Sequence, residues 1–131
     1  MSGSEGTTPH GGDRRHDPEW EVTPRRVARL LADSPDSILL IDCRTDKERA
    51  IARIEGSMHI PMDRMAASVH EIDAAREGED DDRRVIVYCH HGVRSLSVAV
   101  ALRQQGIDGA VSMAGGIDAW TADVDPSVAR Y

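Results

Sequence analysis

Two uninterrupted apolar runs, Ile38-Leu39-Leu40-Ile41 and Val85-Ile86-Val87-Tyr88, constrain this chain more than any other feature. Neither alternates apolar with polar, so each reads as a strand covered on both faces, the condition of a parallel strand inside an α/β domain. Ala110-Val111-Ser112-Met113 reads as another strand, and Trp20-Glu21-Val22 and Met58-His59-Ile60 as two short ones. Helical patterns lie between them. Thr23-Pro24 supplies an N-cap and a first-turn proline, and Val27, Leu30 and Leu31 form an apolar stripe behind them. Ser34-Pro35-Asp36-Ser37 ends that helix. Further helices are expected over Thr45–Ile51, Met62–Ala75 and Ser95–Gln105, the last stopped by Gly106, and after Gly115-Gly116 in a segment carrying Trp120. Strands alternating with helices predict an α/β fold around a mainly parallel sheet.

The chain's 131 residues suit one domain. With no Phe, two Trp and two Tyr, the core must be built from Ile, Leu, Val, Ala and Met. Residues 1–18 are Gly, Ser, Thr, Pro, His and charge without apolar period, and read as a disordered leader ahead of a domain over 19–131. His10, Arg14, Arg15 and His16 within it follow no metal-ligand spacing. The acidic run from Glu77 to Asp82 reads as a solvated connecting loop. Met58, Met62 and Met65 are spaced for packing rather than for copper.

Charge narrows the function. A net charge of −7 argues against a sequence-independent nucleic-acid binder and against docking on an anionic membrane. No apolar run approaches the ~20 residues a membrane span needs. The first residues, Met1-Ser2-Gly3-Ser4-Glu5-Gly6, do not read as a signal peptide. Two cysteines are too few for a disulfide scaffold or a four-thiolate metal site, so a reducing cytoplasm is the expected setting and a thiol that matters is expected to be reactive.

That thiol is Cys89. It ends the second buried run and opens the loop Cys89-His90-His91-Gly92-Val93-Arg94, with a helix starting directly behind it. So short a loop must curl, and its backbone N–H groups can converge as a nest while the helix adds the positive end of its dipole. Both favour a thiolate, the nucleophilic form. Arg94 adds a fixed charge and a planar donor fork, and Gly92 a backbone freedom that a side chain would block. His90 and His91 either raise the positive potential when protonated or are exposed loop side chains. Such a loop can hold an oxyanion such as phosphate, or a sulfur anion carried on Cys89.

The loop Cys89–Ser95 resembles the active loop of rhodanese-like sulfurtransferases. Ile41-Asp42-Cys43-Arg44 is similar to that family's strand ending in Asp-Val-Arg, with Cys43 in place of the usual Val. Glu48 to Ser57 with Ile60-Pro61, and Met113-Ala114-Gly115-Gly116 with Trp120, resemble two further family segments. Arg49 stands for the usual aromatic, Ala52 for Gly and Arg53 for His, departures that bear on local packing and the lining of the entrance. The tail Val124–Tyr131 is similar to rhodanese domains attached to enzymes that adenylate small sulfur-carrier proteins.

The resemblance implies a rhodanese-like sheet of about five strands with helices on both faces. It implies a sulfurtransferase in which Cys89 takes sulfane sulfur from thiosulfate or a persulfide, with no metal or organic cofactor. It makes Asp42 and Arg44 candidates for support near the active loop. Cys43 reads either as a packed strand residue or as a thiol able to resolve a persulfide. Cys89 to Arg94 inclusive is six residues, the sulfurtransferase length in this family, whereas related cell-cycle phosphatases carry one more. A phosphatase or arsenate reductase using the same loop, and a non-catalytic interaction module, are the rival readings. A sulfur-carrier protein or its adenylating enzyme is the expected macromolecular partner.

Overall fold

A computed structural model describes residues 17–78 and 82–131. The expected leader, except for Asp17 and Pro18, lies outside the described residues, as do Glu79, Asp80 and Asp81 of the acidic run. The order of elements is β1 (Glu21–Val22), α1 (Pro24–Asp33), β2 (Ile38–Asp42), α2 (Asp46–Ile51), β3 (Met58–His59), α3 (Val69–Ala75), β4 (Arg84–Tyr88), α4 (Val93–Gln104), β5 (Val111–Met113) and α5 (Gly116–Asp123).

The strands form one sheet in the order β1-β5-β4-β2-β3, with every pairing parallel. All five strands therefore end at the same edge. The two apolar runs lie side by side, Ile38 opposite Arg84 through Asp42 opposite Tyr88. From β2 the chain moves to the outer strand β3, and from β4 it moves the other way to β5. Neighbouring connections leave in opposite directions between β2 and β4, which opens a crevice at their carboxyl ends, the customary place for a ligand in such sheets.

Residues of β2 and β4 alternate between two cores. Leu39, Ile41, Val85 and Val87 pack with Ile72, Val98 and Leu102 under α3 and α4. Ile38, Leu40, Ile86 and Tyr88 pack with Val27, Ile117 and Trp120 under α1 and α5. Helices thus cover both faces, as the sequence predicts. Each such fully buried Ile or Leu is worth about 1.5–3 kcal/mol over its exposed state. Trp120 is part of the core.

Local chemistry sets the helix ends. Thr23 Oγ1 accepts the Arg26 N–H at 3.2 Å, with Pro24 in the first turn. Thr45 and Glu48 form a reciprocal capping box on α2. The helix expected over Met62–Ala75 does not run unbroken. Met62–Arg64 and Ala66–Ser68 are 3₁₀ turns, and α3 begins only at Val69. Pro61 offers no capping side chain, the Met65 and Ser68 N–H groups bond three residues back, and Ser68 Oγ takes the Arg64 carbonyl at 2.8 Å. That hydroxyl competes for a carbonyl an α-helix would use. The three-residue winding still buries Met65, while Met62 stays exposed.

Candidate active site

Cys89 sits immediately beyond β4, at the crevice, and its side chain is 1% exposed. Behind it α4 starts with Gly92 at the N-cap in a left-handed conformation (φ 102°) and no capping side chain. The N–H groups of that first turn need an acceptor. Cys89 Sγ provides it, accepting from Gly92 N at 3.1 Å and from Ser95 N at 3.3 Å. The cysteine sulfur is, in effect, the cap of α4. Ser95 Oγ lies 3.3 Å from the same sulfur and 2.7 Å from Ser112 Oγ on β5, all in the buried interior. A Cβ on Gly92 would stand 3.1 Å from Gly115 N, so the residue serves both backbone angle and close approach.

The loop is clamped from its other side. α5 starts at Gly115, again without a capping side chain, and its free N–H groups reach the loop carbonyls: Ile117 N to Cys89 O at 2.9 Å and Asp118 N to His90 O at 3.1 Å. Gly116 permits this approach, because a Cβ there would lie 2.5 Å from Cys89 O.

These donors decide the state of the thiol. The neighbouring Cys43 thiol, the Ser95 hydroxyl and the Ser95 and Gly92 N–H groups hold Cys89 well below the usual thiol range, against the opposing effect of burial. Cys43 moves the other way, pushed up by the Cys89 sulfur beside it and by burial. Of the two thiols, Cys89 is the one that ionises.

Arg94 does not present an open fork. It grips Glu48 with Nη1 to Oε1 at 2.7 Å and Nη2 to Oε2 at 2.9 Å, which ties α4 to α2 and holds the Glu48 carboxyl far below its ordinary range. Val93 is exposed at 77% and contributes only backbone.

Asp42 and Arg44 form a fully buried pair. Arg44 Nε reaches Asp42 Oδ1 and Nη2 reaches Oδ2, both at 2.9 Å. Burial raises the Asp42 carboxyl, but the donors of Arg44 and Arg49 outweigh it and leave it lowered. Arg44 also bonds the Ala52 and Glu48 carbonyls and the Tyr131 hydroxyl. The hydrogen-bond partners of this pair brace the strand end and α2, and Cys89 is not among them. Arg49, standing where the resemblance expects an aromatic, joins Asp42 at 3.1 Å and bonds Ser57 through its hydroxyl and carbonyl.

His90 is stacked between His91 and Tyr131, with ring centroids 3.9 Å away on each side, while His91 is exposed. The Tyr131 hydroxyl donates to Glu48 Oε2 at 2.8 Å and accepts from Arg44 Nη1 at 2.8 Å. His90, His91 and Asp118 bring potential metal-ligating atoms within 4.8 Å of one another, but Arg130 occupies both Asp118 oxygens, at 3.1 and 3.2 Å. Glu48, Ser95 and Gly116 enter the sequence reading only within segments that resemble the family, and Ser112 and Tyr131 are not named there as site residues. Glu48 also carries a local signal, the capping box it forms with Thr45.

A cavity of about 520 Å³ opens beside the loop, lined by Cys43, Thr45, Asp46, Arg64 and Arg94 among others. No helix among the described residues is long and apolar enough to cross a membrane.

Comparison with known proteins agrees with this architecture. The chain is 34% identical over 109 residues to a sulfurtransferase of Allochromatium vinosum, covering 83% of this chain and 94% of that protein. It is 33% identical over 110 residues to the probable adenylyltransferase/sulfurtransferase MoeZ of Mycobacterium tuberculosis, covering 84% of this chain and 26% of that relative. Among solved structures, a rhodanese-like domain protein from Staphylococcus aureus superposes with a TM-score of 0.67 at 28% identity, covering 86% of this chain and 98% of that one. The family model described as a rhodanese-like domain matches residues 23–123, and the chain belongs to that family.

Proposed function

We propose that residues 19–131 form a sulfurtransferase that moves sulfane sulfur from thiosulfate or a persulfide to a thiophilic acceptor through a persulfide on Cys89. The observation that carries this reading is the cradle of Cys89: two backbone N–H groups and a hydroxyl within 3.3 Å of one sulfur at a helix N-terminus. These donors stabilise an anion without having to reorganise.

The Cys89 thiolate attacks the outer sulfur of thiosulfate. A new S–S bond forms, the donor's S–S bond breaks, and sulfite leaves with its electron pair. A thiolate or cyanide then attacks the outer sulfur of the persulfide, and Cys89 departs as the thiolate that the cradle favours. This is covalent catalysis in two displacements. The cavity lined by Cys43, Arg64 and Arg94 together with Asp46 and Asp63 lies beside the loop and is the approach for a small donor. The match to one segment of MoeZ, a probable adenylyltransferase/sulfurtransferase, supports a protein acceptor, a small sulfur-carrier protein or its adenylating enzyme. Such persulfide chemistry suits a reducing compartment such as the cytoplasm.

The test is thiocyanate formation from thiosulfate and cyanide, beside hydrolysis of an aryl phosphate. Wild type should form thiocyanate and barely hydrolyse the ester, and Cys89→Ser should do neither. Phosphate turnover faster than sulfur transfer would replace this reading with the phosphatase one, and a chain with neither activity would make it a binding module.

A further inference from the structure

Cys43 follows β2 as Cys89 follows β4. The strands pair with Asp42 opposite Tyr88, and the Cys43 N–H donates to the Tyr88 carbonyl at 3.1 Å, so the register carries on and sets Cys43 beside Cys89. Their side chains share a face of the sheet. Leu39, Ile41 and Cys43 on one strand, and Val85, Val87 and Cys89 on the other, belong to the same core cluster. Adjacent strands run about 4.8 Å apart, inside the ~4.4–6.8 Å between Cα atoms that a disulfide spans without backbone movement. Both thiols are free, and both are 1% exposed. Cys43 nevertheless lines the cavity beside Arg94, so a small leaving group released there has a way out.

We propose that Cys43 is the resolving thiol of the Cys89 persulfide, discharging its outer sulfur as hydrosulfide and leaving a Cys43–Cys89 disulfide. The inference rests on the sulfurtransferase reading above. Cys43 sulfur attacks Cys89 Sγ. The Cys43–Cys89 bond forms, and the bond from Cys89 Sγ to the outer sulfur breaks. The bonding electron pair and the Cys43 proton leave with that sulfur as HS⁻. The outer sulfur is reduced to sulfide, and the cysteine pair undergoes the matching two-electron oxidation. A dithiol reductant reopens the disulfide and returns both thiols.

The reaction is held back until it is wanted. Cys43 is kept protonated by burial and by its neighbour, so an acceptor that arrives promptly takes the sulfur first. The thiolate fraction of Cys43 grows about tenfold per pH unit below its pKa, and resolution should quicken accordingly.

The experiment loads the full chain with thiosulfate or polysulfide, removes small molecules, and follows intact mass and released sulfide over time at several pH values. Wild type should gain one sulfur, lose it as one sulfide per chain, and end two hydrogens lighter than it began. A dithiol should restore the starting mass. Cys43→Ser and Cys43→Val should keep the added sulfur until cyanide removes it, which also shows that they are folded. A wild type that keeps its sulfur as long as these variants, or loses it without a Cys43–Cys89 disulfide, would overturn the proposal. A wild type that never gains sulfur from either donor would overturn the proposed function itself, so the two failures are distinct. If neither variant folds, mapping the disulfide in wild type decides alone.

Discussion

Arg94 closes on Glu48 through two parallel hydrogen bonds, at 2.7 and 2.9 Å, and so joins the first turn of α4 to the first turn of α2. The same carboxylate accepts the Tyr131 hydroxyl at 2.8 Å, and that hydroxyl accepts from Arg44. A charge network therefore runs from the buried Asp42–Arg44 pair to Arg94 in the first turn of α4. It places the cysteine loop without supplying the donors that touch its sulfur.

Removing Arg94 should accordingly cost position more than acidity. Arg94→Ala is expected to lower stability by only about 1 kcal/mol, since the pair is partly exposed. It should slow sulfur transfer, and Arg94→Lys should recover part of the loss because it restores charge but not the fork. Chemical denaturation and thiocyanate formation measure the two effects. A loss of stability without a loss of rate would show that the pair does not place the loop.

Ser95 should contribute to the acidity of Cys89, beside the Cys43 thiol. Alkylation rate against pH should give wild type a midpoint below the ~8.5 of free cysteine. Ser95→Ala removes a hydroxyl donor to the anion and should raise that midpoint more than Arg94→Ala does. The sign follows from the donor, which stabilises the thiolate and not the thiol. Equal midpoints for Ser95→Ala and wild type would show that the hydroxyl does not serve the sulfur.

Gly116→Ala is expected to be the most damaging change outside the cysteines. Its Cβ would meet the carbonyl of Cys89 at 2.5 Å, at a position where φ is 63°. Backbone cannot move aside as a flexible side chain does, so the cost should be at least about 2 kcal/mol, with a clear drop in melting temperature. Gly56→Ala, where a Cβ meets nothing within 4 Å, is the control for backbone strain alone.

Acid should loosen the network first. Arg94 holds the Glu48 carboxyl down and the arginine donors hold Asp42 down, so both carboxyls have folded pKa values below their unfolded ones. Their contribution is complete above the unfolded values of about 4, and is lost as pH falls through the folded values. Unfolding free energy should therefore decline below about pH 4, and less steeply in Glu48→Gln. A variant with the wild-type slope would remove Glu48 from this account.

What the sequence shows, it shows locally. The strands β2 and β4 announce themselves as apolar runs, α1 by its Thr23 cap and first-turn proline, and the loop by Cys89, Gly92 and Arg94 lying within six residues of chain. The break in the segment from Met62 to Ala75 depends on which carbonyl Ser68 takes, and periodicity does not reveal that. The partners of Arg94 and of Arg44 lie beyond local reach, with Glu48 46 residues before Arg94 and Tyr131 87 residues after Arg44. The nearness of Cys43 to Cys89 is a matter of strand register, which needed the sheet order.

The most direct test of the central claim is the intact mass of the chain after brief exposure to thiosulfate, with the modified peptide identified. The account predicts a gain of one sulfur atom, located on Cys89, and its removal by cyanide. A chain that gains no sulfur, or carries it on another residue while Cys89 remains a free thiol, would contradict it.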